Sequence, residues 1–342
     1  MDNLDLLKRL CETSGISGDE NRVRALIIDE IKDFADEYRV DNLGNLIVFK
    51  KGKNRPKNKL MISAHMDEVG FMVTDITSDG LLKFDEVGGI DRRVLPATSV
   101  LVGDKYNGVI LNKPVHLCDS NERNSIPKYA DMFIDIGATS REEALSYISL
   151  GDSITFEALY QDNGHTIISK ALDDRAGCYL MINMLKSELL YDMYFTFVVQ
   201  EEVGLNGAKV AAYSVDPDFS IVLESTTAAD IPSVSGSKQV CLVGDGAVVS
   251  YMDRRTIYDK GLIKACQDIS EVQNIKLQFK RAVAGGNDAG VIHTSRGGVR
   301  TLAVSLPCRY LHSQLSLIAR SDLEHAYKLT NILAERICGG EV

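Results

Sequence analysis

Five short apolar runs in this chain each lead into a carboxylate or an imidazole, and that repeated pairing limits the folds open to it. Leu60-Met61-Ile62 runs into His65-Met66-Asp67-Glu68, and Thr166-Ile167-Ile168 into Asp173-Asp174-Arg175. Phe195-Thr196-Phe197-Val198-Val199 ends in Glu201-Glu202, Ile221-Val222-Leu223 in Glu224, and Leu302-Ala303-Val304-Ser305-Leu306 precedes His312. Apolar runs of this length, bounded by polar turns, read as buried strands. In an open α/β sheet the carboxyl ends of adjacent strands converge on one crevice, where ligands bind. Imidazoles and carboxylates gathered there form a donor set for two divalent cations. The pattern points to a metal-dependent hydrolase.

The texture between these runs sets the organisation. Ser17 and Glu20 have capping-box spacing, and Val23, Leu26, Ile27, Ile31 and Phe34 follow at helical spacing. Leu46-Ile47-Val48-Phe49 suits a further strand. From about residue 69 to about 161 the pattern changes to short apolar segments around Phe71, Phe84, Val100 and Val109. These are divided by turn signals at Asp79-Gly80, Gly88-Gly89, Gly103-Asp104 and Asn107-Gly108, which predicts a small barrel or sandwich. A short helix is expected from Ser140, where Ser140 and Glu143 repeat the capping-box spacing. After Gly164, strand, acidic turn and helix alternate, with helices over about 176–185 and 321–337. The simplest architecture is one α/β domain interrupted by an inserted β-domain.

Bulk properties exclude several function classes. A length of 342 residues allows one large or two medium domains, and 45% hydrophobic content is ordinary for a globular chain. The formal charge of −10 argues against nucleic acid as a partner, since phosphate binding needs a clustered basic surface. The basic stretch Lys50–Lys59 is interleaved with Gly52, Asn54, Pro56 and Asn58 and reads as a solvated connection. Seven scattered cysteines show no CxxC spacing, so neither a zinc knuckle nor a disulfide framework is supported. Met1-Asp2-Asn3-Leu4-Asp5 lacks a signal-peptide core, and no apolar run reaches membrane-spanning length. A cytoplasmic protein without membrane association is expected.

Each motif has an ordinary reading beside the chemical one. In His65-x-Asp67 the two side chains share one side of an extended chain, so Asp67 can receive the second ring N–H of a metal-bound His65. An isolated histidine at a strand end is equally well served by a plain hydrogen bond. Asp173-Asp174 offers a helix N-cap, yet a second adjacent carboxylate adds repulsion unless a cation neutralises it. Glu201-Glu202 is either a solvated strand end or a costly desolvated pair. In the second case one glutamate can bind metal while its neighbour serves as general base. Asp230 reads as a turn residue. Gly285-Gly286-Asn287-Asp288-Ala289-Gly290 lacks the Lys-Ser/Thr ending of a phosphate loop and reads as a turn beside the crevice. His116, His165, His293 and His325 lack a comparable setting and read as structural or exposed.

As a set, these motifs resemble the tetrahedral (TET) or glutamyl aminopeptidases, the cellulase-M-like family of dinuclear metallopeptidases. The resemblance rests on His-Met-Asp-Glu-Val-Gly at 65–70, Lys-Ala-Leu-Asp-Asp-Arg-Ala-Gly at 170–177 and Gln-Glu-Glu-Val-Gly at 200–204. It continues through Gly-Gly-Asn-Asp-Ala-Gly at 285–290 and Arg-Tyr-Leu-His-Ser at 309–313. Between them, Val87–Val94 and Phe133–Ala138 extend it over nearly the whole chain. The resemblance implies a mixed-sheet α/β/α, zinc-peptidase-like catalytic domain from residues 1–68 plus 162–342. An inserted β-barrel domain over 69–161 would serve dimerisation. His65, Asp173 and Glu224 would hold one metal, and Asp173, Glu202 and His312 the other, with Asp173 bridging. Glu201 would be the general base and Asp67 the residue orienting His65. The Asp173-Asp174 bond would be a non-proline cis peptide. Most relatives carry Asp where this chain has Glu224, which reaches one methylene further. Zinc is the first expectation, with cobalt or manganese as alternatives. The implied partners are peptides with a free N-terminus and further copies of the chain, as a homodimer or tetrahedral homododecamer.

Three other functions compete with N-terminal peptide cleavage. A two-metal amide hydrolase of N-acyl or carbamoyl compounds would use the same groups. A glycosidase would need paired carboxylates but no histidines. A non-catalytic assembly protein would need none of them.

Overall fold

A computed structural model describes residues 4–342, and the acidic start at Met1, Asp2 and Asn3 lies outside the described residues. Three strands come first: β1 (Glu37–Val40), β2 (Leu46–Lys50) and β3 (Leu60–His65). Six more follow: β4 (Gly70–Ile76), β5 (Leu82–Val87), β6 (Ser99–Val102), β7 (Tyr106–Ile110), β8 (Ile134–Asp135) and β9 (Ser153–Phe156). They close into a barrel in the order β4-β5-β8-β7-β6-β9. The last group is β10 (Gln161–Asp162), β11 (Thr166–Ser169), β12 (Met193–Val198), β13 (Phe219–Thr227), β14 (Ala247–Val249), β15 (Leu277–Phe279), β16 (Arg300–Cys308) and β17 (Ser316–Ala319).

The main sheet has eight strands in the order β1-β2-β12-β3-β13-β16-β14-β15, so it draws on segments from both sides of the barrel in sequence. Its centre, β12-β3-β13-β16, is parallel, which sends four carboxyl ends to one edge. Parallel strands are covered on both faces and read as unbroken apolar runs rather than alternating ones. β3 is buried at every position. A smaller sheet, β10-β11-β17, stands beside the main one. The barrel keeps its own core, in which Phe71 meets Phe84 and Phe156 edge-on at centroid distances of 5.1 and 5.6 Å.

Helices α1 (Asp5–Glu12), α2 (Asn21–Ile31), α3 (Ser120–Arg123), α4 (Arg141–Tyr147), α5 (Leu172–Lys186), α6 (Asn206–Val215), α7 (Lys260–Gln273), α8 (Ala289–Ile292) and α9 (Arg320–Gly339) complete the chain. The long α5 packs on β3 and β13 and carries α1, α2 and α9 against it, while α6 lies on β12 and meets α8. No helix among the described residues is long and apolar enough to cross a membrane. All seven cysteines are unpaired.

One local expectation is overturned. The Ser17–Glu20 spacing does not form a capping box: α2 starts at Asn21 with Glu20 as its N-cap and no side-chain cap. Ser17 Oγ instead donates to Asp67 Oδ2 at 2.5 Å, and Glu20 Oε1 accepts from the N–H groups of Gly18 and Gln200. A buried carboxylate is a stronger acceptor than solvent is a competitor, so the tertiary partner takes the hydroxyl. Val23, Ile27 and Ile31 are buried as the helical spacing requires, but Phe34 lies beyond the helix and is exposed. At α4 half of the expected box forms: Ser140 Oγ accepts from Glu143 N, and Glu143 turns to Thr139 instead of Ser140.

Candidate metal centre and cleft

The sheet register explains why distant motifs meet. His65 is the last residue of β3 and pairs with Val198 at the end of β12, so Glu201 and Glu202 follow just beyond that edge. On the other side Val222 pairs with Ser63, which puts Glu224 level with His65 and on the same face. Asp173 arrives at the start of α5, where the peptide to Asp174 is cis, and His312 arrives in the loop after β16.

Asp173 lies between the two imidazoles. Its Oδ1 is 3.5 Å from His65 Nε2, and its Oδ2 is 3.4 Å from His312 Nε2. Glu224 Oε1 is also 3.5 Å from His65 Nε2, and Glu202 Oε1 is 3.1 Å from His312 Nε2. Donor atoms of His65, Asp173 and Glu202 fall within 4.8 Å of one another, as do those of His65, Asp174 and Glu224. Asp174 is the weaker donor of the two aspartates. Its oxygens accept from Gly177 N at 3.0 Å and His65 N at 3.3 Å, whereas Asp173 Oδ1 is buried with no hydrogen-bond partner. A buried carboxylate oxygen left this way has lone pairs open to a cation.

The residues around these donors fix their orientation. His65 Nδ1–H donates to the main-chain carbonyl of Asp67 at 3.0 Å, with the Asp67 carboxylate at 3.5 Å. That leaves Nε2 facing the carboxylates, the arrangement a metal-bound imidazole uses. The Asp67 carboxylate also accepts from the N–H groups of both Glu201 and Glu202 at 3.1 Å, so it holds the turn carrying them. His312 Nδ1–H donates to the carbonyl of Gly89 at 2.8 Å, a contact from the barrel segment into the site.

Crowded carboxylates shape the electrostatics. Burial and the neighbouring Asp173 push Glu224 up to about 8. Burial, with repulsion from Glu224 and Asp288, holds Glu201 well above the ordinary carboxylate range. Burial alone would depress His312, but Asp173 and Glu202 outweigh it and lift it to about 11. Asp67 goes the other way: burial opposes its ionisation, while His65 and Ser17 bond the charged form and hold it low.

A cleft of about 310 Å³ opens over the donors, lined among others by Asp173, Glu201, Glu202, Glu224 and His312. Its far wall holds Asp253, Tyr258 and Lys280, which sequence reading did not single out. Lone residues after short strands carry no local signal. Asp288, within the turn read as lying beside the crevice, has both oxygens buried without a partner, and burial raises it to about 7. Its glycine-rich setting was the available clue. Asp230 is not part of the centre; it forms a paired contact with Arg309 at 2.6 and 2.7 Å and accepts from Val243 N.

A family model described as M42 glutamyl aminopeptidase matches residues 44–329. A putative aminopeptidase of Acetivibrio thermocellus is 41% identical, covering 98% of this chain and 99% of that one. The lysyl aminopeptidase of Pyrococcus furiosus is 34% identical, with 97% of each chain covered. Among solved structures, the Pyrococcus horikoshii TET1 peptidase, described as able to assemble into a tetrahedron or a large octahedral shell, superposes with a TM-score of 0.85. It is 36% identical, over 97% of this chain and 98% of that one.

Proposed function

The chain belongs to the M42 glutamyl aminopeptidase family of peptide-bond hydrolases, and from that premise we propose a two-cation mechanism with Glu201 as general base. His65, Asp173 and Glu224 would hold one cation, and Asp173, Glu202 and His312 the other. The observation that carries this reading is the division of the Asp173 carboxylate, one oxygen toward each imidazole. The donor chemistry fits: Asp173 Oδ1 has no other partner, and nearby positive charge would ionise carboxylates that burial holds protonated. Mixed imidazole and carboxylate ligands suit zinc first, with cobalt or manganese as alternatives.

When bound, such a pair lowers the pKa of water and polarises the scissile carbonyl. Glu201 accepts the proton that water releases as its oxygen attacks the carbonyl carbon. It then delivers that proton to the departing amine nitrogen as the C–N bond breaks. Burial raises its pKa above the ordinary carboxylate range, the direction that favours proton uptake by a general base. Asp67 keeps Glu201 in place through its backbone N–H, and the Asp67 carbonyl fixes the His65 ring.

Residues 1–68 plus 162–342 would form the catalytic domain, and 69–161 a barrel domain for dimerisation. This chain would self-associate as a homodimer or tetrahedral dodecamer, a reading supported by the tetrahedral assembly described for the TET1 peptidase and read by light scattering on the purified protein. Unpaired thiols suit a reducing compartment such as the cytoplasm.

The test is a chelated enzyme assayed with zinc, cobalt or manganese restored, on aminoacyl p-nitroanilides and on the same compounds N-acetylated. Metal-dependent cleavage only of free-amine substrates supports the proposal. Preference for the acetylated series would instead make the chain an N-acyl amide hydrolase. Activity that survives chelation would overturn the metal assignment.

A further inference from the structure

We propose that Lys170 is a positioning residue for the cation assigned to Asp173, Glu202 and His312, acting on Glu202 through one water held in a buried cavity between them. The inference rests on the two-cation reading and adds a group that orients one of its ligands. A carboxylate that binds a metal is in turn held by hydrogen bonds from the residues behind it. Glu202 Oε1 faces His312 Nε2 at 3.1 Å, and the side chain is only 6% exposed. Apart from His312, no donor among the described residues bonds this carboxylate.

The partner it needs stands behind the site. A cavity of about 10 Å³, the room that one water requires, is lined by Asp173, Glu202 and His312 and also by Glu68 and Lys170. Lys170 and Glu68 are 1% and 3% exposed. The Lys170 ammonium gives two of its three donors to Glu68, at 2.5 and 2.7 Å, and keeps one. Arg175, the other cation of this cluster, does not line the cavity and donates to the carbonyls of Leu10, Thr13, Gly15 and Met66. Ala171 takes a left-handed conformation at φ 54°, unfavourable for a residue with a Cβ, and its turn lets Lys170 and Asp173 line the same cavity. A water there accepts from Lys170 Nζ and donates to the Glu202 carboxylate, so positive charge backs an anionic ligand. Ser316 also lines the cavity, and because its hydroxyl hydrogen goes to the Ser169 carbonyl at 2.8 Å, its oxygen can accept the second water hydrogen. Three polar partners are the usual complement of a buried water.

Cation binding tests this directly, by titrating cobalt against a competing chelator and following its absorption spectrum as the two sites fill. Lys170→Met should weaken one of the two cations by roughly 10- to 100-fold, the scale for losing a group behind a ligand, and leave the other unchanged. Glu68→Gln breaks the same buried pair but keeps the ammonium, and should leave both affinities as they are. Equal losses in the two variants would mean that the cluster serves only the fold, and would overturn the proposal. Unchanged affinities in Lys170→Met would do the same. Should Lys170→Met fail to fold, the wild-type protein carries its own test in a crystal structure of the zinc-loaded enzyme. A water within hydrogen-bond distance of both Lys170 Nζ and the Glu202 carboxylate is expected there. A dry cavity, or a water that reaches only one of them, would overturn the proposal and leave the two-cation reading intact. A wild-type enzyme that binds fewer than two cations would instead remove that reading, and this inference with it.

Discussion

Asp173 and Asp174 are chemically identical neighbours that their surroundings drive apart. For Asp173, burial is outweighed by His312 and His65, and its carboxylate is held well below the ordinary range. For Asp174, burial and the charge of Glu224 push the other way, well above it. Asp173 is thus the ionised member of the pair, and its Oδ1 is the oxygen without a hydrogen-bond partner. We therefore expect Asp173→Asn to lose bound metal and at least ~100-fold in activity, read by elemental analysis and kcat, on the scale of ligand-sphere losses. Glu201→Gln makes a sharper test because it removes the proposed proton carrier and leaves every proposed ligand in place. Its kcat should fall by roughly 10²- to 10⁴-fold at unchanged metal content. Full activity in that protein would remove Glu201 from the mechanism.

Between elements, the site depends on a buried charge cluster behind it. Lys170 Nζ donates to both oxygens of Glu68 at 2.5 and 2.7 Å, with Arg175 Nη2 at 3.6 Å from the same carboxylate. Arg175 also donates to the carbonyls of Leu10, Thr13 and Met66, tying the end of α1 and the segment after β3 to α5. These groups are nearly inaccessible to water, so removing one charge leaves the others unpaired in a low-dielectric setting. Lys170→Met should cost about 3–5 kcal/mol of unfolding free energy, measured by urea titration. A change below ~1 kcal/mol would mean that water reaches the cluster.

For the whole molecule, the unusual protonation states couple stability to pH. In chelator-treated protein Glu224 holds its proton up to about 8 when folded and loses it near the ordinary 4.5 when unfolded. Its contribution therefore declines as pH rises between those values. His312 acts in the same direction: raised from 6.5 to about 11, it stabilises fully below 6.5 and progressively less above. The melting temperature of the chelated protein should fall from pH 5 to pH 8, and saturating zinc should restore it most at the upper end. A flat or rising profile without metal would contradict these protonation states. The barrel adds long-range order of its own, since the Gly89 carbonyl anchors His312 from outside the main sheet.

Four of the five strand ends were legible because parallel strands in a covered sheet appear as unbroken apolar runs, and charged residues after them stand out; the fifth, β11, lies instead in the small antiparallel sheet. From this the sequence determined the α/β architecture and the residue types delivered to one edge of the sheet, while the turn signals marked an inserted β-domain, barrel or sandwich. The capping-box reading at Ser17 failed for a reason local pattern cannot contain: its partner Asp67 is 50 positions away. His312 and Gly89 are separated by 223 positions. Lys280 in the cleft wall, the clamp of Asp67 on the Glu201–Glu202 turn, and the unequal protonation of Asp173 and Asp174 were likewise decided only by tertiary structure. Periodicity records which face of an element is buried, but hydrogen-bond partners and desolvation depend on what packs there from elsewhere in the chain.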